Sequence, residues 1–524
     1  LDESSYPILM AYQAGLAGDH ALWTDHVRKA ADFVVAHGPS FGAERWEEQG
    51  GYSPSTIAAE IAGLVAAGRI ADINGDHAAA RIYRATADHF QRSIKGWAVT
   101  TTGPYASGRY FIRLSKTGDP DAAITYNLGN GGPDADQRSV VDAGFLELTR
   151  LGELPASDPD VQASLSVVDG TIRRDTASGA GFYRYGTATP GSEDGYGDCY
   201  EPDATTCTPT GKPWPTGNVG SGHLWPVLSG ERAEQLVQTG DGGTAADLLL
   251  GMQRFSSGVG LVPEQAWEDP DFPPSPFGSD PTTASIGFAN GKPVGSASPL
   301  TWSQAQEVRL TQSLGSGAGR PVEQPAIVRD RYQPQPPGLA PLTVTAPADG
   351  AEVSTATVQV TGTTVPGATV DVASTATDTG GATTVVTTQA AGDGSFSVTV
   401  PSPFGTSVIT VAATTSDGAT GYARRTVVSD FITGTTVLDV SDPDGDDNGP
   451  GTFAYPTSAD FHPGAFDIER FQVIVTGDSA LLRVRTRDLS PTFGSPLGAQ
   501  LVDVYIGTPG ATTTSTAAAF ASRN

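Results

Sequence analysis

Two clusters of carboxylates and aromatics suggest acid–base work on a sugar. The first is Glu44-Arg45-Trp46-Glu47-Glu48-Gln49-Gly50-Gly51-Tyr52, followed by Ser53-Pro54-Ser55-Thr56. The second is Leu261-Val262-Pro263-Glu264-Gln265-Ala266-Trp267-Glu268. Aromatic faces cover sugar rings, and carboxyls protonate or orient them. A general acid and a general base on opposite sides of a glycosidic bond are what inverting hydrolysis requires, with the two carboxyls roughly 6.5–9.5 Å apart. Glu47 and Glu264 lie far apart in the chain, so only a fold that gathers loop ends would join them. The competing reading of the first cluster is a solvated acidic loop ahead of a helix.

Between the clusters stands Phe182-Tyr183-Arg184-Tyr185. An arginine among aromatics offers a forked pair of donors to sugar hydroxyls, or else an ion pair with a carboxylate. Trp214, Trp225 and Trp267 are either sugar platforms or core residues. His223 reads as a packed, hydrogen-bonded histidine rather than a base.

The elements that must position these groups are helices joined by long Gly- and Pro-rich loops. Apolar periodicity predicts helices over 6–17, 21–35, 56–68, 76–95, 138–151, 231–238, 245–255 and 302–314. Helix and long loop alternate with little strand signal, which suggests a helical toroid whose loops build a site at one end. Around Tyr332-Gln333-Pro334-Gln335-Pro336-Pro337-Gly338 the composition becomes that of a linker. The organisation predicted is a helical domain over 1–333, a linker over 334–341, a β-sandwich over 342–430 and a second all-β module over 431–524. The sandwich rests on alternating Val and Thr with turns at Asp349-Gly350, Pro366-Gly367 and Asp393-Gly394. It has no Lys or Arg from Leu342 to Ala423.

The chain has 524 residues, net charge −27 and pI about 4.5. That charge argues against nucleic acid and anionic membranes and suits a neutral substrate. No apolar run reaches the roughly 18–20 residues that cross a bilayer, so membrane insertion is not expected. Low Lys and two Met fit an extracellular bacterial protein. Cys199 and Cys207 share one loop; in an exported protein a disulfide is plausible, and two free thiols are the alternative. Asp442, Asp444, Asp446 and Asp447, with glycines between and after them, are hard oxygen ligands suited to a structural Ca²⁺, or else form an acidic turn. The chain opens at Leu1 inside patterned sequence, which predicts a missing upstream part.

Taken in order, Trp46-Glu47-Glu48, Arg184, Gly222-His223-Leu224-Trp225-Pro226, Pro263-Glu264-Gln265 and Pro299-Leu300-Thr301-Trp302 resemble glycoside hydrolase family 15, the glucoamylases. The bacterial glucodextranase branch is the nearest likeness, because the sandwich and the Asp442–Gly449 module resemble the two domains that follow its catalytic domain. The resemblance implies an (α/α)6 barrel, then an immunoglobulin-like sandwich and a C-terminal binding module. It implies inverting exo-hydrolysis of α-1,6-glucans with release of β-glucose. Glu47 would be the general acid, Glu264 the general base, and Trp46, Glu48, Arg184, Trp214 and Trp267 the substrate contacts. No cofactor takes part in catalysis, and the C-terminal module would attach to cell wall or glucan. The family's Arg-Asp grip on the terminal glucose has no counterpart ahead of Glu47. The barrel is therefore expected to be incomplete, which leaves the activity of this polypeptide alone in question. The alternatives are a bacterial glucoamylase cutting α-1,4 links and a non-catalytic cell-surface glucan-binding protein.

Overall fold

The computed structural model describes residues 1–106, 108–129, 133–189, 222–271, 287–377, 383–447, 464–477 and 479–488, with isolated residues 274, 276, 278 and 504. Helices dominate the first part: α1 (Asp2–Gln13), α2 (His20–Leu22), α3 (Arg28–His37), α4 (Pro54–Ile73), α5 (His77–Ala98), α6 (Leu146–Arg150), α7 (Pro159–Thr171), α8 (Pro226–Gln238), α9 (Gly242–Phe255), α10 (Thr301–Ser316) and α11 (Ala326–Tyr332). A single π turn, Trp23–Val27, joins α2 to α3.

α4 is the centre of this part. Its sequence is apolar on every side, and nearly every residue from Pro54 to Ala71 is buried. A helix of that composition is stable only when surrounded, and α1, α3, α5, α6 and α11 surround it. Gly63 admits α1: a Cβ there would stand 2.9 Å from the Ser5 Cβ. α4 ends at Asn74-Gly75, with Gly75 at φ +84°. Asp76 then caps α5 by accepting from the Ala79 N–H. α5 is amphipathic and turns its other side to the β-part. The pair α8–α9 and α10 pack together around Leu248, Met252 and Leu310.

One expected helix is largely absent. Over 138–151 only Leu146–Arg150 is α-helical; before it come a strand at Val141–Asp142 and a 3₁₀ turn at Ala143–Phe145. The β-branched Val141 pairs with Gly186, and the Asp142 side chain accepts the Gly144 N–H. That local cap starts the helix late. Short strand pairs of this kind recur in the loops, and α7 and α11 are further helices beyond those expected.

The sandwich region forms two sheets. Strands β1 (Leu342–Ala346), β3 (Thr357–Thr364) and β6 (Ser395–Pro401) make one, in the order β6-β3-β1. β2 (Ala351–Val353), β4 (Thr369–Ala376), β5 (Thr384–Gln389), β7 (Gly405–Thr414) and β8 (Thr420–Ser429) make the other, in the order β2-β8-β7-β4-β5. All pairs are antiparallel except β2–β8. Val358, Val360, Val372, Phe396, Val400 and Ile409 fill the space between the sheets. β4 and β7 are buried on both faces, because the outer face of their sheet lies on α5. The Pro-rich linker is tied at both ends. Gln333 donates to the Gly152 carbonyl (2.8 Å), and Leu339 bridges to Thr420. A last sheet, β9 (Thr435–Ser441), β10 (Ile468–Thr476) and β11 (Ser479–Thr486), is antiparallel in that order.

Candidate active site

The loop from α3 to α4 carries the first carboxylates, and a buried arginine organises them. Arg113 Nη2 donates to Glu44 Oε1 (2.6 Å) and to Glu48 Oε2 (2.9 Å), while its Nη1 donates to the Leu128 carbonyl (2.8 Å). Its guanidinium lies 3.5 Å from the Tyr185 ring centroid. Burial alone would lower the Arg113 pKa; Glu44 and the other neighbouring acids outweigh it and keep the group charged. Burial pushes the Glu44 carboxyl above the usual carboxylate range, against the pull of Arg113. Glu48 also accepts from Arg184 Nη1 (2.9 Å) and from the Tyr185 hydroxyl. Between these two inward carboxylates stands Glu47, exposed and at φ +60°, its N–H donating to the Glu44 carbonyl (2.7 Å). Left-handed backbone at a residue other than glycine is uncommon and collects at functional sites.

Trp46 is locked in place. Its indole N–H donates to Asp142, and its ring packs on Trp225 (5.2 Å between centroids) and Trp302 (5.5 Å). The Arg184 guanidinium sits over Trp225 (5.1 Å) and Trp46 (5.6 Å).

The second loop rests on the same two tryptophan segments. Ala266 pairs with Leu224 through both backbone hydrogen bonds, and the His223 N–H donates to Gln265 Oε1 (3.0 Å). On its other side the Leu300 N–H donates to Val262 O (3.1 Å). Glu264, half-buried, donates its N–H to Ala297 O (2.8 Å) and accepts the Ala297 N–H on Oε2 (3.2 Å). The loops bearing Glu47 and Glu264 thus share a seat made by 223–225 and 300–304.

Beneath this seat runs a buried ionic network. Arg45 reaches Asp142 (3.1 Å) and Glu231 (3.1 Å), and Arg150 reaches Glu147, Glu231 and Glu234. Burial pushes the Glu234 carboxyl up to about 8, against the pull of Arg150. A buried network of this kind adds little net stability over apolar packing of the same volume, but removing one partner strands a buried charge.

The structure corrects two expectations. Trp267 is 1 % exposed, stacked on Phe288, packed on His223 and bonded through its N–H to Pro270 O; it braces the Glu264 loop and offers no face to a sugar. Trp46 is 7 % exposed and supports Arg184 rather than forming an open platform. His223 is packed as expected, its Nδ1 2.9 Å from Glu268. Trp214, Cys199 and Cys207 lie outside the described residues. Asp442, Asp444 and Asp446 are exposed, and among the described residues no three His, Cys, Asp or Glu side chains gather as metal ligands. The expected calcium cage is therefore not assembled by the described part of that loop, which continues into residues outside it. Arg113 and Asp142 were not anticipated from sequence, and Arg45 and Tyr185, though inside the quoted clusters, were given no role of their own; the aromatic flank Tyr110-Phe111 is a local signal near Arg113.

The chain is similar to known proteins. A family model described as glycosyl hydrolases family 15 matches residues 1–312, and one described as the C-terminal binding-module, SLH-like, of glucodextranase matches residues 437–522. The chain is 38% identical over 332 residues to a glucoamylase of Clostridium sp. (strain G0005), covering 63% of this chain and 41% of that protein. It resembles the crystal structure of a bacterial glucoamylase complexed with acarbose at 37% identity and TM-score 0.54, covering 64% of this chain and 43% of the other. The chain thus spans about two-fifths of the length of the curated relative it matches. Its helical part has the α/α-barrel type of fold, followed by a β-rich C-terminal region.

Proposed function

Because the chain belongs to glycosyl hydrolases family 15, we propose that it supplies both catalytic carboxylates of an inverting exo-glucosidase that releases β-D-glucose from the non-reducing ends of α-1,6-glucans such as dextran. The observation that carries this reading is the seat shared by the Glu47 and Glu264 loops, with Arg184 held by Glu48 over Trp46 and Trp225 of that seat. Glu47, exposed beside two anchored carboxylates, gives its proton to the glycosidic oxygen as that bond breaks. Glu264 takes a proton from the water that attacks the anomeric carbon from the opposite face. Arg184 and Glu48 hold hydroxyls of the terminal glucose through charge-assisted hydrogen bonds. After one turnover Glu47 is ionised and Glu264 protonated, and exchange with water resets both.

The α-1,6 assignment is supported by the likeness of residues 437–522 to a glucodextranase module. An α-1,4 assignment is supported by the glucoamylase relatives of the helical part. Turnover of isomaltotriose against maltotriose separates the two, and a clear preference for maltotriose sinks the dextran reading. In the full-length protein Glu264→Gln should lower kcat about 10²–10⁴-fold, and the first product seen by NMR should be the β anomer. Unchanged hydrolysis overturns the base assignment; no hydrolysis by the unmutated protein leaves a glucan-binding role in its place. The two-sheet region is read as immunoglobulin-like from its five- and three-stranded sheets. We read the protein as secreted or held at a bacterial cell surface, a reading supported by the likeness of residues 437–522 to an SLH-like binding module.

A further inference from the structure

The loop that carries the first carboxylates also helps to form a cleft where the β-part meets the helical part. This open cleft of about 410 Å³ is bounded by the end of α3, the loop that follows it, and Arg424 of β8. That volume lies within the usual range of ligand clefts, roughly 300–1,000 Å³. Aromatic rings form part of its walls, among glycines, Pro39, Ser40 and Arg424. Phe41 and Tyr52 line it, and Tyr52 is backed by Trp97 at 5.4 Å. The Phe41 ring contacts His37 (4.8 Å), which contacts Phe33 (4.3 Å), so a run of three rings leads out of the cleft. Phe41 and Phe33 are 37% and 38% exposed.

The chemistry of the lining narrows the ligand. None of the lining residues is acidic, although the chain carries net charge −27, so the cleft is not built for a cation. Arg424 commits one donor of Nη1 to the Gly38 carbonyl (2.8 Å) and one of Nη2 to the Ala36 carbonyl, so its guanidinium is anchored to the backbone at the end of α3. What remains is flat apolar rings with backbone amides and the Ser40 hydroxyl between them. That mixture suits a neutral polyol with apolar ring faces. The same loop that forms the rim goes on to carry Glu47 and Glu48.

We propose that this cleft is a second saccharide site, which holds an internal segment of the glucan while its non-reducing end is hydrolysed. The link to hydrolysis rests on the function proposed above; the binding itself does not. Arg424 makes the site depend on the β-part, because it ties the carbonyls at the end of α3 to β8.

The test uses the full-length protein carrying Glu264→Gln, titrated calorimetrically with isomaltotriose and with maltotriose. Two binding events are expected with at least one of these sugars. Phe41→Ala, or Ser40→Trp, which plugs the cleft, should remove one event and leave the other. Thermal melts confirm that each variant is folded, and Ser40→Trp serves if Phe41→Ala is not. In the otherwise unmutated enzyme, Phe41→Ala should raise KM for dextran relative to KM for isomaltose about two- to ten-fold, the range that one lost aromatic contact supplies. A single event with both sugars, or two events that both variants leave intact, overturns the site. If no variant or parent hydrolyses anything while the second event still vanishes with Phe41→Ala, the cleft stands and the hydrolase reading falls.

Discussion

Glu47 stands at φ +60° between two carboxylates held by Arg113. Turning the backbone there lets Glu44 and Glu48 point inward to one guanidinium while Glu47 stays exposed. Left-handed backbone costs an L-residue roughly 1–2 kcal/mol. Glu47→Gly should therefore stabilise the fold by about 1 kcal/mol while abolishing hydrolysis. Urea denaturation reads the first effect and glucose release the second; a variant no more stable than its parent would show that the turn carries no strain. The two candidate catalytic residues were legible because Glu and Trp crowd into short Gly- and Pro-bounded stretches. Arg113 and Asp142 were not, because each is a lone charge in an ordinary segment and becomes informative only when the fold delivers it beneath the site. Trp267 was misread for a related reason: nothing local distinguishes a tryptophan that meets a sugar from one that props up a loop.

At the scale of elements, α4 shows both the reach and the limit of sequence patterns. Its apolar run and the apolar periodicity over 76–95 made the α4–α5 pair readable. Over 138–151 the pattern misled in part: Val140, Val141, Phe145, Leu146 and Leu148 are all buried, but Val140 and Val141 lie in extended backbone and Phe145 in a 3₁₀ turn, and only Leu146 and Leu148 are α-helical. Burial was foretold there and conformation only in part. α4 also contains Glu60, fully buried, with neither carboxyl oxygen hydrogen-bonded. Burial raises its pKa well above the carboxylate range. A carboxyl whose folded pKa exceeds its unfolded one stabilises fully below the unfolded value, and that contribution is lost as pH rises through the folded value. Glu60→Gln should accordingly flatten the decline in stability above about pH 4.5. Denaturation midpoints from pH 4 to pH 9 check this, and parallel curves for parent and variant would refute it.

For the whole molecule, the β-part is a docked partner of α5 rather than a pendant tail. Arg81 on α5 donates both Nε (2.6 Å) and Nη2 (2.8 Å) to Asp371 of β4, whose side chain is fully buried. Asp88 takes Arg331 from α11 and Thr420 from β8, and His89 stacks on Tyr422 at 4.4 Å. The scarcity of basic residues in β1–β7 was plain in the sequence. What it meant was not: the facing cations are on α5, and Arg424 begins its grip just past the Lys- and Arg-free stretch. Arg81→Ala leaves the Asp371 charge buried without its main partner, at a cost of about 3 kcal/mol or more. Calorimetry should show the β-part melting earlier and apart from the helical part; an unaltered trace would mean that the pair adds nothing to docking.

The tied linker has a consequence for how the molecule would respond to cutting. Residues 334–336 are exposed, and a protease would find them. Yet the covalent link there carries little of the union, because Gln333 is bonded to the helical part before the cut, and Arg81, Arg92 and Arg424 hold β4 and β8 beyond it. A nicked molecule would run as two bands in denaturing gels and as one body in solution.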